Sequence, residues 1–192
     1  WGGPAQRRAV PSMAAQDAVG AWLNENSTGD ADYTATKPAI TAEYLAAYNI
    51  IIIQDISGWA AFTAEEKAAF DAWVRAGGGV MTLMGYSDNG NEMVNVNDLL
   101  SFTTMSYIPS TDTSTPAQRD ALLGTCKDCY GASAPQAGWT SHPIGLNVKK
   151  VGAFYGRAVT AGSGEVVAQE GSVVLGAAAG VDSGRVFVFH DE

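Results

Sequence analysis

Residues 49–56, NIIIIQDI, set four isoleucines in a row with no polar residue between them. β-Branched side chains without alternation fit a strand buried on both faces, as in a parallel sheet, better than one with a wet face. The next apolar pattern has a different period. In residues 62–79, FTAEEKAAFDAWVRAGGG, Ala69, Phe70, Trp73 and Val74 recur at helical spacing. Thr63 and Glu66 have the spacing of a capping box, and Gly77 can take the left-handed position just past the helix end. Residues 80–85, VMTLMG, read as a second buried strand, followed by a polar turn (YSDNGNE) and a helix near residues 94–102. Upstream, residues 11–24 predict a helix, residues 32–40 a short strand and residues 41–48 a short helix.

Strand and helix alternating through short links predict the α/β class, with a mostly parallel sheet and helices on both faces. The second half is richer in strand patterns, at residues 147–161, 165–170, 172–180 and 184–190, with the turn VDSG before the last. These predict extra antiparallel strands at one edge of the sheet. Residues 115–124, TPAQRDALLG, predict a further helix with Pro near its start. With no internal repeat, heptad or linker composition, residues 1–192 read as a single domain, a size at which one core is expected. The opening WGGPAQRR resembles the loop after a first central strand, so that strand is expected to lie outside the sequence, as are possible residues beyond Glu192.

Charge narrows the partners. The net charge of −9 arises from 11 basic and 20 acidic residues, and the basic residues cluster only as the pairs Arg7-Arg8 and Lys149-Lys150. Nucleic acid and anionic membrane surfaces require a basic patch and are not expected partners. No apolar run approaches a membrane span. Scarce lysine with abundant Gly, Ala, Ser, Thr and Asn is a composition common among exported bacterial proteins, so an extracellular or periplasmic location is expected. In that setting Cys126 and Cys129 fit a small disulfide loop. A redox pair of this spacing would open a helix after a strand, whereas this one follows the helix pattern at residues 115–124. A zinc site would need two more soft ligands.

In open α/β sheets, functional groups gather beyond the carboxyl ends of the strands. Those ends supply Asp55, then Ser87 and Asp88, then His190, Asp191 and Glu192. Gly85-Tyr86-Ser87-Asp88-Asn89 lies where a strand turns into a helix, the setting of a nucleophile elbow, although Asn89 stands where a glycine is usual. The same residues also read as an ordinary Asn-Gly turn. Asp55, Asp88 and Asp191 could instead help hold a divalent metal, but their scattered spacing carries no ligand signature. Residues 88–92 lack the alternating ligands of a calcium loop. No other cofactor is expected. His142, before Pro143, is a substitute base or, more simply, part of a turn.

The order of isoleucine strand, capped helix, GGG, strand, G-x-S-x-N and a late VFVFHDE resembles the class I glutamine amidotransferase-like superfamily, whose architecture is flavodoxin-like. That family carries a G-x-C-x-G elbow and a late F-H-P-E. Here Phe189-His190-Asp191-Glu192 matches the His and Glu positions, and Ser87 lies 103 residues before His190. Residues 45–89 also resemble uncharacterised amidotransferase-like domains of secreted myxobacterial and related proteins. The resemblance implies Ser87 as nucleophile, His190 as general base and Glu192 as its orienting carboxylate, with oxyanion donors at Asp88 and near Gly58. Serine in place of cysteine makes the nucleophile wholly dependent on the histidine.

Two functions follow as expectations. One is a non-catalytic binding or assembly module of a larger exported bacterial protein, self-associating or contacting other domains. The alternative is a serine hydrolase of amide or ester bonds using Ser87, His190 and Glu192. The departures at Ser87 and Asn89 weight the first above the second.

Overall fold

The computed structural model describes residues 7–10, 15–34, 36–84, 90–108, 138–148, 157–170 and 173–190. Among them, one seven-stranded sheet runs in the order β2-β1-β3-β4-β9-β8-β7. Its strands are β1 (Arg7–Val10), β2 (Asp30–Tyr33), β3 (Tyr48–Ile53), β4 (Gly79–Leu83), β7 (Glu165–Glu170), β8 (Val173–Val181) and β9 (Gly184–Phe189). A separate antiparallel pair joins β5 (Ser106–Tyr107) to β6 (Val159–Thr160). The helices are α1 (Ala15–Asn26), α2 (Ala42–Leu45), α3 (Ala64–Arg75) and α4 (Gly90–Leu99). Strands β2, β1, β3, β4 and β9 pair in parallel, while β8 and β7 extend the sheet by antiparallel pairing. The fold is therefore mixed α/β, with antiparallel strands in the C-terminal half.

The isoleucine run divides by parity. Ile51 and Ile53 are buried, and they join Val80, Val186 and Val188 of neighbouring strands in one core with Phe70 and Val74 of α3 and Val96 and Leu99 of α4. Ile50 and Ile52 lie on the opposite face and are half-buried. Burying each such aliphatic side chain is worth about 1.5–3 kcal/mol, so the face under α3 and α4 contributes strongly to what holds the sheet. A second cluster collects Phe189, Leu175, Val173, Ala158 and Ala168, with Trp139 stacked on Phe189 at 5.9 Å.

Helix α3 forms as its sequence predicts. The Thr63 hydroxyl accepts from Glu66 N–H at 3.2 Å, and Glu66 accepts in return from Thr63 N–H at 2.9 Å. At the other end Gly77, at φ 124°, closes a Schellman turn: Gly78 N–H donates to Trp73 C=O and Gly77 N–H to Val74 C=O. Burial pushes the Glu66 carboxyl up, but Lys37 and the N–H groups of Thr63 and Ile40 outweigh it and leave the group below the usual carboxylate range. The C-terminus of α3 is then tied to the β8–β9 turn. Ser183 N–H donates to Arg75 C=O, and the Arg75 guanidinium reaches Asp182 at 3.1 Å and Asp71 at 2.7 Å.

Several boundaries differ from the sequence reading. Residues 7–10, expected to belong to a loop, form β1 between β2 and β3, so a strand ahead of the first helix lies within the chain. Four residues cannot declare a strand by pattern, because parallel partners on both sides supply what local periodicity lacks. The strand expected over residues 32–40 is shorter and earlier, as Lys37 and Pro38 lead away from the sheet. Helix α4 begins at Gly90 rather than Val94. Of the strand expected at residues 147–161, Val159–Thr160 pairs and residues 149–156 lie outside the described set. The helix expected at residues 115–124 also lies outside it.

One position shows how closely α3 approaches β9. A Cβ built on Gly184 would lie 1.9 Å from the Val74 carbonyl oxygen. Since both are backbone-fixed, Gly184→Ala should lower stability by on the order of 2 kcal/mol through overpacking, read as a fall in the urea midpoint with an unchanged slope. Gly180→Ala, with nothing among the described residues within 4 Å of its Cβ, should leave the midpoint nearly unchanged.

Candidate functional site

Adjacent placement of β3, β4 and β9 brings their carboxyl ends side by side, so the residues that follow each strand leave the sheet along one edge. After β3 the chain enters a turn at Asp55, whose φ of 47° is one of three left-handed non-glycine values among the described residues. Its carboxylate accepts from the Ser57 hydroxyl at 3.2 Å and is solvent-exposed. Gly58 sits in the same exposed turn, closed by Trp59 N–H donating to Ile56 C=O. Asp55 thus serves an Asp-containing turn, and Gly58 occupies its outer surface.

Helix α4 holds this turn against the sheet. The Glu92 side chain, 2% exposed, accepts from Ile56 N–H at 2.9 Å. One turn along, Asn95 Nδ2 donates to Trp59 C=O at 3.0 Å. A carboxylate in the first turn of a helix also benefits from the positive end of the helix dipole. The sequence reading placed Glu92 in a polar turn and missed this role. The available signal was the i, i+3 pair Glu92 and Asn95 on the helix side that faces the β3–α3 loop.

After β9, His190 does not run into water. It is 3% exposed, and among the described residues neither Nδ1 nor Nε2 has a hydrogen-bond partner. Its backbone is fully engaged: N–H donates to Leu175 C=O at 2.9 Å, and C=O accepts from Arg157 N–H at 2.7 Å. The imidazole meets Phe189 edge-on at 5.2 Å. Burial pushes its pKa down to about 4 from 6.5, because the charged ring would have to give up water without a compensating acceptor. At neutral pH the ring is uncharged and packed as an aromatic side chain. The Trp139 indole Nε1, of the ring stacked on Phe189, is likewise buried without a partner among the described residues.

A hydrogen-bonded stitch runs beside His190. The Tyr107 hydroxyl bonds Thr82 Oγ1 of β4 at 2.8 Å and donates to Phe189 C=O of β9 at 3.0 Å. Asn97 of α4 fixes Tyr107 from both sides, donating to its C=O at 3.0 Å and accepting from its N–H at 2.8 Å. Thr82 is fully buried and Tyr107 nearly so. The pattern of residues 80–85 and 184–190 shows two buried strands but carries no sign of the third partner.

Of the other expected site residues, Ser87, Asp88, Asp191 and Glu192 lie outside the described residues, as do Cys126 and Cys129. Of the metal set, Asp55 alone is described, and among the described residues no group of three His, Cys, Asp or Glu side chains could hold a metal ion. His142 occupies a turn: its Nδ1 accepts from Ile144 N–H at 3.2 Å at the start of a 3-10 turn over Pro143–Gly145. Its Nε2 lies 3.9 Å from Glu165. Among the described residues no helix is long and apolar enough to cross a membrane.

No family model matches the chain, and no curated protein matches it significantly. Solved structures do. The chain is similar to the mmIFT52 N-terminal domain at 16% identity and a TM-score of 0.69, over 97% of this chain and 85% of that one. It is similar to cytoplasmic protein STM1381 from Salmonella typhimurium LT2 at 16% identity and a TM-score of 0.65, over 97% and 88%. Cytoplasmic protein STM3548 from Salmonella typhimurium follows at 16% identity and 0.55, over 88% and 72%. At such identities the likeness is one of fold.

The buried histidine has a measurable consequence. Its folded pKa of about 4 lies below its ordinary 6.5, so between those values the unfolded chain binds the extra proton. Stability is therefore full above pH 6.5 and falls as the pH drops toward 4, by about 3 kcal/mol for this group. Denaturant titrations at pH 7 and 4.5 should show a smaller acid-side loss in His190→Phe than in the parent protein.

Proposed function

We propose that this chain is a flavodoxin-like, amidotransferase-like α/β domain acting as a non-catalytic binding or assembly module of an exported bacterial protein. The strand order β2-β1-β3-β4 supports the flavodoxin-like arrangement, with helices on both faces of the sheet. The observation that carries the functional reading is the state of His190. A general base needs a pKa near the working pH and reach to the proton it takes. The His190 ring is buried, has no hydrogen-bond partner among the described residues, and is held uncharged well below neutral pH. Composition supports export, and in an oxidising compartment Cys126 and Cys129 close a small disulfide loop. The partners of such a module are other copies of the chain or other domains of its parent protein, with no nucleic acid and no membrane insertion.

The position of β9 favours a second reading, hydrolysis of an amide or ester bond by Ser87, His190 and Glu192. Parallel pairing sets Leu83 opposite Phe189, so the segments carrying Ser87 and His190 leave the sheet from adjacent strands. That is the topology a triad uses, but topology supplies no acid–base chemistry by itself.

Labelling with a fluorophosphonate probe separates the two. The module reading expects no covalent adduct on the native protein and no difference between the parent and Ser87→Ala in hydrolysis of p-nitrophenyl esters or glutamine. An adduct at Ser87, or turnover abolished by Ser87→Ala, would establish the hydrolase instead.

A further inference from the structure

The sheet face opposite α3 and α4 carries a groove of about 470 Å³ over the amino halves of β3, β4 and β9 and the facing part of β8. This is within the size range of small-molecule sites. Strand register reconstructs its floor. One row runs Ile50, Gly79, Arg185, Gly180 across β3, β4, β9 and β8, and the next runs Ile52, Met81, Phe187, Ala178. Met81 and Phe187 are half-buried, and a Cβ on Gly180 would meet nothing within 4 Å among the described residues. Arg185 therefore stands on an apolar floor between two residues without side chains. Among the described residues its guanidinium makes no hydrogen bond or ion pair.

We propose that this groove binds a small apolar carboxylic acid, its carboxylate on Arg185 and its apolar body on Ile50, Met81 and Phe187. The inference extends the binding-module reading by naming a ligand class, at a site separate from His190.

Four observations converge on that ligand. In a chain of net charge −9, an unpaired guanidinium on an apolar floor offers the fork geometry that a carboxylate satisfies bidentately. Gly180 leaves room on one side for such an approach, while on the other Ile50 closes over Gly79, 3.3 Å from where a Cβ would stand, and adds to the apolar floor. A single cation matches one negative charge, and the adjoining surface is hydrocarbon. Every floor strand has strand neighbours on both sides, so no backbone edge is free to take a peptide by strand addition.

Orientation follows from the rim. Glu165, on β7, lies in the Phe187 row beyond Ala178, and His142 stands beside it. The Glu165 carboxylate repels an acidic head there, so the head stays at Arg185 and the tail runs toward β3 and β4.

Isothermal titration of the full chain with decanoate, and with decanamide as its uncharged counterpart, tests the assignment. The expected result is saturable one-to-one binding of decanoate, weakened about tenfold or more by Arg185→Gln, with decanamide binding at the weaker level in both proteins. Gly180→Val fills open space beside the guanidinium. It should abolish decanoate binding while the unfolding midpoint stays within that of the parent protein. Absence of saturable decanoate binding overturns the proposal, as does binding that Arg185→Gln and Gly180→Val leave unchanged. Either failure is independent of fluorophosphonate labelling at Ser87, which tests the module reading alone.

Discussion

Parallel pairing of β4 with β9 is the contact on which the rest of the molecule depends. It joins residues about a hundred positions apart, from Gly79 opposite Arg185 to Leu83 opposite Phe189, and closing so long a loop costs entropy that must be repaid by burial. Repayment comes from three sides. Val80, Val186 and Val188 sink into the core beneath α3 and α4. Tyr107 bonds both Thr82 and the Phe189 carbonyl, a third element bonded to both strands. The α3 C-terminus then comes so close to Gly184 that no side chain fits between. Without this pairing the parallel half and the antiparallel β7–β8–β9 half would have no common sheet.

That junction also sets the chemistry available at the end of β9. Backbone bonds from His190 to Leu175 and Arg157 draw the residue over the second core cluster rather than toward the exposed loop at Asp55. The ring is then buried against Phe189 with no acceptor for a proton among the described residues. An imidazole in such a place contributes packing and loses basicity. The loop after β3, meanwhile, is anchored by Glu92 and Asn95, so this carboxylate is committed to a backbone N–H.

Where the sequence carried the fold, it did so through strong local signals. The Thr63–Glu66 capping box and the Gly77 stop each satisfy a backbone requirement visible within a few residues and appear in the structure as expected. The continuous isoleucines form a strand with parallel partners, but Ile50 and Ile52 on its second face are only half-buried rather than buried. The turn VDSG and the strands around it were readable for the same reason. Strand β1 was not, because four residues flanked by Gly and Pro owe their extended form to partners on both sides. The polar ending His-Asp-Glu was legible as the end of a sheet strand, but His190 is fixed by backbone bonds to Leu175 and Arg157, which no spacing rule connects to it. Glu92 looked like a turn residue for want of knowledge that α4 starts at Gly90.

The central claim is that His190 is a packed side chain, uncharged at neutral pH. The chain has two histidines, His142 and His190, so their imidazole resonances can be followed separately by NMR as the pH is lowered. The account predicts that the His190 ring stays neutral through the physiological range and titrates near pH 4, while the protein remains folded at the start of the transition. A His190 titration near 6.5 or above, with a shift on fluorophosphonate addition, would contradict it.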